Sequence, residues 1–361
     1  MLKPKVAVLK TTPETVLDDY ARLMHMAEYR GSIDMSRETI LKINISWHKY
    51  FPACSTTPWQ LEGVIRTLIE DGFSKDQLVL VHNDTVVVKS KVGEIRNRLA
   101  PVGRRYGLRT LYLQNGAQWS PYEPNHPMMV LDKVYPRGIE IPEFFIGKNI
   151  IHLPTMKTHV FTTMTGAMKN AFGGLLQTHR HWTHSVIHET LVDLLTIQKE
   201  IHPGIFAVTD GTLAGDGPGP RAMIPKVKNY LLASSDQVAL DACAAHMMGF
   251  DPLSLDFLRL AQERGLGCGS VSDIEIIGED ISDVNFGFHC ADTFASRGQK
   301  AIYHGWLKPF EKILLRSPLV FWSYIASKVY HDCFWYPFVG RKRVNKILET
   351  DWGRLFQEYA G

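Results

Sequence analysis

Cysteine is scarce in this chain and scattered: five residues, at 54, 243, 268, 290 and 333, with no Cys-x-x-Cys pair among them. That spacing excludes a disulfide framework and a self-contained iron–sulfur or zinc-ribbon motif, and it suits a reducing, cytoplasmic compartment. An excess of one charge is missing too. Forty basic residues face 37 acidic ones, a net charge of +3, which is too balanced for a nucleic-acid surface covering the whole molecule. No apolar run approaches the ~18 residues that would span a bilayer. The nearest, Pro318 to Tyr330, is aromatic and is broken by Ser323, Ser327 and Lys328. A secretory signal is not expected either, because Lys3 to Leu9 reads as a short apolar strand with Lys5 inside it. Repeats of solenoid period and Walker or GxGxxG phosphate loops are likewise lacking.

What is present is an alternation of strands and helices. With 361 residues and 45% hydrophobic content the chain can bury two cores. The fold expected is α/β, two lobes built from βαβ units with mainly parallel sheets: residues 1–145, residues 146–300, and a helical C-terminal extension over 301–361. Thr12 and Pro13 open a helix with Val16, Leu17, Tyr20, Leu23 and Met24 at helical spacing. Leu41 to Ile45 follows as a strand, Trp59 to Asp71 as a helix stopped by Gly72, and Gln77 to Val81 as the next strand. Leu108 to Leu113 adds a strand, and Tyr122 to Pro142 is a Pro-rich surface excursion. The second series has a strand at Asn149 to His152, a helix from about Thr183 to Glu200, and a strand at Gly204 to Thr209. A glycine-rich loop from Asp210 to Pro220, a strand at Asn229 to Ala233, a helix at Gln237 to Met248 capped by Asp236, and an edge strand at Asp273 to Ile277 complete it.

The most informative stretch is Lys157 to Asn170, KTHVFTTMTGAMKN, followed by histidines at 179, 181, 184 and 188. The strand at Asn149 to His152 feeds it, so polar groups gather where a strand ends, and a site between lobes is expected there. His159 is the candidate for acid–base work, because an imidazole gives or takes a proton near neutrality. Lys169 is either a solvated lysine or a desolvated nucleophile and anion clamp. Lys157 reads as a phosphate or carboxylate clamp, and Asn170 as a cofactor contact or a turn cap. His184 and His188, four apart on one expected helix face, can converge on a divalent metal, with His179, His181 or Glu189 as a third ligand. Asp210, Gly211, Asp216 and Gly217 in the glycine-rich loop can hold a cation or a ribose hydroxyl, or form a plain capped turn.

Several ordered motifs together resemble a known family. Leu153-Pro154, Lys157-Thr158-His159, Thr165 to Asn170, Phe172-Gly173, Asp210-Gly211, Gly217-Pro218, Ser235-Asp236, Ala239-Leu240-Asp241 and Gly265-Leu266-Gly267 look like domain of unknown function 362, over roughly residues 38 to 280. Members of that family often carry a fused ferredoxin, which implies a separate ferredoxin-like partner for a chain without one. More distantly, His159-x-Phe161, Gly166 and Lys169 are similar to a segment of the lactate racemase family. That resemblance implies a nickel-pincer nucleotide on Lys169, proton transfer by His159 and a metal ligand near His184. The counterpart of the family's second proton-transfer histidine is missing, since His82 lies near its place but out of register.

The tail from Tyr303 differs in character, with ten aromatics from Trp306 to Phe338 among Lys308, Lys312, Arg316, Lys328, Arg341, Lys342 and Arg343. Such a segment either packs on the body of the protein or rests on an anionic membrane surface through residues 303–343. Three functional readings follow. The first is an enzyme moving a proton or hydride on a small hydroxy- or keto-acid, with a divalent metal (nickel, zinc or iron) or the pincer nucleotide. The second is a redox-cofactor protein working with an iron–sulfur partner, and the third a membrane-peripheral interaction protein.

Overall fold

The computed structural model describes residues 3–85, 87–315 and 320–360. Its strands are β1 (Lys5–Lys10), β2 (Thr39–Ile43), β3 (Leu78–His82), β4 (Arg109–Tyr112), β5 (Trp119–Tyr122), β6 (Ile139–Pro142), β7 (Asn149–Leu153), β8 (Thr155–His159), β9 (Thr163–Met164), β10 (Ile205–Asp216), β11 (Ile224–Ser234) and β12 (Glu275–Gly278). Among the described residues ten of these share one sheet, in the order β12, β1, β11, β10, β7, β2, β3, β4, with β8 paired to β10 and β9 to β8. The fold is α/β with a mainly parallel centre: β4, β3, β2, β7 and β10 run parallel in turn, while β11 lies antiparallel to both β10 and β1. The stretches 1–145 and 146–300 therefore share one sheet: β2 pairs with β7, in register from Thr39 opposite Asn149 to Ile43 opposite Leu153, and β1 lies between β11 and β12.

The central strands TILKI, LVLVH and NIIHL are buried at every residue, as strands covered on both faces must be. Their side chains alternate between two cores. Val6, Val8, Ile40, Val79, Val81 and Ile150 join one with the helices Ile187–Ile201 and Gln237–Met248. Ala7, Leu9, Leu41, Ile43, Leu78, Leu80 and Ile151 join the other with the helices Val16–Met26 and Pro58–Glu70. Each fully buried aliphatic side chain contributes about 1.5–3 kcal/mol, so this period-two pattern fixes the register: a slip by one residue would exchange the cores.

Most expected elements lie within a residue or two of their places, and Asp236 caps Gln237–Met248 by accepting from Val238 N at 2.8 Å and Ala239 N at 3.0 Å. Three expectations are corrected. The first helix starts at Val16 behind Thr15, not at Thr12. Of the stretch read as a glycine-rich loop, Asp210 to Asp216 is the second half of β10, which pairs with β11 through a bulge between Gly211 and Leu213, and only Gly217 to Pro220 is turn. The helix expected from Thr183 starts at Ile187, and Thr178–Val186 forms tighter 3-10 turns before it.

Beyond Thr293 the described residues are mostly helical. Its last two helices, Arg341–Leu348 and Asp351–Glu358, return to the body, where Trp352 packs 5.1 Å from Trp59 and Phe356 stacks 3.8 Å from Tyr50. Among the described residues no helix is long and apolar enough to cross a membrane.

Candidate functional site

Past Pro154 the central strand β7 continues as β8, and this carries Lys157, Thr158 and His159 beyond the carboxyl end of the parallel sheet. Ligands of open α/β sheets bind there. The chain turns back through β9 and reaches Gly166, whose φ of +155° suits only glycine and whose Cβ, if present, would lie 2.4 Å from the Asp241 carboxylate. The glycine lets Asp241 accept from Ala167 N at 2.7 Å and Met168 N at 3.0 Å. The Thr-Gly-Ala-Met-Lys-Asn motif is thus pinned by a buried carboxylate 74 residues on, and Lys169 and Asn170 face the space above the strand ends.

That space is a cavity of about 310 Å³. Its floor comes from the ends of β2 and β3 and from the motif: Lys42, His82, His159, Lys169, Asn170 and, from the histidine-rich turns, Arg180, His181 and His184. Pro218 to Pro220, just after β10, close one side and bring Arg221 to the floor. Gly219 passes so near Thr158 that an added Cβ would meet its carbonyl. The roof is Thr293, Ser296, Gln299, Ile302, Tyr303, Val320, Ser327 and His331 from the C-terminal helices. Among the described lining residues there is no aspartate or glutamate.

The cations are poorly compensated. Lys42 donates to its neighbour's carbonyl, Ile43 O, at 2.8 Å, and burial followed by the Arg180 charge brings its pKa down to about 7. Lys169 makes no hydrogen bond or ion pair among the described residues and lies 5.1 Å from the Phe172 ring; burial, then Lys157 and Arg180, lower it to about 7. Arg180 is 6% exposed, donates through Nη2 to Asp84 O, and keeps a buried Nη1 with no partner. Burial lowers even this guanidinium to about 10. His159 is held well below its ordinary range by burial and then by Lys169 and His184. Its Nδ1 lies 3.2 Å from Phe161 N. A backbone N–H can only donate, so Nδ1 is the acceptor, and the neutral ring carries its proton on Nε2. His184 stacks on Tyr303 at 5.6 Å and is lowered to about 3 by burial and Lys169.

The structure therefore brings His159, Lys169, Asn170 and His184 to one cavity, and it separates other residues expected to act with them. Lys157 lies beneath the floor, fully buried, donating to Cys54 O at 2.7 Å and Thr155 Oγ1 at 2.8 Å. Asp210 and Gly211 are inside β10, away from the cavity. Asp210 accepts from Tyr20 Oη at 2.9 Å, Thr57 Oγ1 at 2.6 Å, Trp59 Nε1 at 2.9 Å and both the N and Oγ1 of Thr212, a structural knot. Asp216 pairs with Lys226 at 2.8 Å and accepts from His289 N, and Gly217 O accepts from Thr158 Oγ1 at 2.7 Å. These groups are occupied with the fold rather than free for a ribose or cation. His188 lines a different cavity from His184 and stacks on Phe257 at 6.1 Å, because the helix that would have aligned the pair starts only at Ile187. Among the described residues no three His, Cys, Asp or Glu gather as a metal shell requires; the His179 side chain lies outside them.

Lys42, Arg180 and Arg221 were not singled out from sequence. Lys42 had a signal, a lysine inside the apolar run Ile40-Leu41-Lys42-Ile43. Arg180 and Arg221 reach the floor only by long-range closure, which leaves no local signature.

A thylakoid-associated protein of Synechocystis sp. is 31% identical to the chain over 124 residues, a match covering 32% of this chain and 37% of the relative. The chain thus spans well under half the length of the curated relative it matches. No solved structure matches the chain significantly. The model of the family described as domain of unknown function (DUF362) matches residues 39–246, a span running from β2 through the helix that carries Asp241 and including every floor residue named above. The chain belongs to the DUF362 family.

Proposed function

We propose that the cavity binds a small organic anion of the hydroxy- or keto-acid class and that Lys169 and His159 move a proton on it. The observation that carries this reading is a floor of Lys42, Lys169, Arg180 and Arg221 with no described carboxylate in the lining, one guanidinium nitrogen being buried and unpaired. Burying cations without counter-charge is costly, and an anion entering the site removes that cost. The two candidate acid–base groups also differ in kind. Lys169, with its pKa lowered to about 7, passes between ammonium and free amine near neutral pH, and as the amine it can take a proton. His159 is neutral, with its proton on Nε2, and so offers a donor. For a keto acid, the Lys169 amine takes the proton from the carbon beside the carbonyl, and the His159 Nε2–H bonds the oxygen on which charge develops. A metal-nucleotide of the kind the racemase resemblance implies would use Lys169 as its attachment, Arg180 and Arg221 for its phosphate and His184 toward its metal, and would supply an electrophilic centre. With Lys169 free, the proton transfer at Lys169 and His159 needs no such group.

The test is exchange of carbon-bound protons in deuterated water, followed by NMR over a panel of 2-keto acids. Wild-type protein is expected to catalyse exchange beside the carbonyl. Lys169→Ala should slow it by about 100-fold or more and His159→Gln by somewhat less. Binding without exchange would remove the catalytic roles, and no binding by any acid of the panel would remove the anion site.

A second reading concerns location. The Synechocystis relative is thylakoid-associated by name. In this chain Trp306 is 80% and Trp322 75% exposed, with Phe310, Ile313, Ile325, Phe334 and Phe338 also exposed on the same C-terminal segment. Residues 303–343 hold seven Lys or Arg against Glu311 and Asp332. Exposed aromatics among cations suit the interface of an anionic membrane. Cosedimentation with anionic vesicles that fails at every salt concentration would remove this reading.

A further inference from the structure

The roof and the floor of the cavity differ in chemistry, and the roof is thin. Ile302 and Tyr303 line the cavity, yet Trp306, in the turn just past the end of their helix, is 80% exposed; Val320 lines it, yet Trp322 and Ile325 face outward. Inside, the Phe161 ring meets Tyr303 at 5.8 Å, and Val87 and Val88 add apolar lining. Beside the polar Ser296, Gln299 and Ser327, the roof thus turns apolar side chains inward at Ile302, Tyr303 and Val320, and the same segment presents an apolar outer face. A ligand that is all anion would use the floor and leave this wall unfilled.

We propose that the ligand is an anionic amphiphile, its charged head against Lys42, Lys169 and Arg180 and a hydrocarbon chain running under the Ile302–Tyr303 roof toward the surface carrying Trp306 and Trp322. The proposal rests on the anion-binding reading of the same site and adds the chain. Each methylene buried along the wall strengthens binding, while the head sets the pose. The C-terminal helices are then part of the binding site, and their exposed aromatics lie where such a ligand would enter from a membrane.

The full chain is titrated by calorimetry with pyruvate and with 2-oxododecanoate below its micelle concentration, so that the two probes share a head and differ in chain. The long-chain acid is expected to bind at least about tenfold more tightly. Ile302→Asn should erase most of that advantage by weakening the long-chain acid far more than pyruvate, with far-UV dichroism confirming the fold. Lys169→Ala should weaken both acids. Equal affinities for the two probes would overturn the amphiphile and leave the small-anion site standing. No binding of either would overturn the anionic head and this proposal with it. A long-chain advantage that survives both Ile302→Asn and Lys169→Ala would place the chain on the outer aromatic face and overturn the proposal as well.

Discussion

Asp210 and Lys169 are both ionisable groups taken out of water beside the central strands, and their surroundings answer that cost in opposite ways. Asp210 is met by donors from Tyr20, Thr57, Trp59 and Thr212, which tie the helices Val16–Met26 and Pro58–Glu70 to β10. Lys169 is met by an aromatic face and by further cations. Burial pushes both away from their charged forms. Only Asp210 has partners enough to offset the desolvation. A satisfied buried charge holds a fold together, whereas an unsatisfied one is a place for something else to bind, and residue type alone does not distinguish the two.

The largest effect that would break this contrast is at Asp210. Asp210→Ala strands the Tyr20, Thr57 and Trp59 donors inside the core, and each unpaired buried group costs about 1–3 kcal/mol. A loss of about 3–5 kcal/mol is expected in chemical denaturation, with little change in anion affinity for the fraction that remains folded. An Asp210→Ala protein that melts like wild type and binds anions poorly would reverse the assignment and return Asp210 to the site.

That contrast also explains what was legible in the sequence. Short apolar runs located β1, β2, β3 and β7, and the Asp236 cap with its following small residues located the helix Gln237–Met248, because these are local signals of buried elements. The strand-end motif was legible too, since strand, turn and glycine are local signals, and His159 and Lys169 do line one cavity. What failed was local reading of residues whose role is set from afar. Asp210-Gly-Thr-Leu-Ala-Gly-Asp looked like loop by composition, but pairing with β11 makes it strand. Asp210 looked like a ligand because its partners, Tyr20 and Thr57, stand 190 and 153 residues away. His184 and His188 looked like a pair because the spacing was right, although the helix begins between them. The roof was foreseen as a packing or membrane layer, not as cavity lining, and it falls outside the residues matched by the family model.

A middle-sized effect tests the other half of the comparison. The Lys169 pKa falls from 10.5 to about 7 in the folded, ligand-free protein. Between those values the unfolded chain holds a proton that the folded chain does not, so this residue makes stability rise with pH across the window, by up to about 1.4 kcal/mol per pH unit. Lys169→Ala should flatten that rise, and at pH 7 or below it should melt no lower than wild type, since it removes an uncompensated cation. Anion affinity should behave in the opposite sense: it is highest where Lys169 is already protonated and falls as pH rises above about 7. A melting curve for Lys169→Ala that parallels wild type from pH 7 to 10 would show that the lysine is not desolvated.

The smallest effect on stability is expected on the roof's outer face, where side chains are neither satisfied nor buried. Trp306 and Trp322 contribute little packing at 80% and 75% exposure, so replacing both with serine should change stability by no more than about 0.5 kcal/mol. The same change removes two large amphipathic rings from the segment that also carries Lys308 and Lys328, so vesicle affinity should fall several-fold at low salt. The two readouts separate the alternatives for this surface. If the rings pack against the body in solution, stability falls and vesicle binding is indifferent. If they meet lipid, the reverse holds. Raising salt should weaken wild-type binding through the cations and leave the contribution of the rings, so a double variant whose vesicle binding matches wild type at both low and high salt would take the aromatic face out of any account of membrane contact.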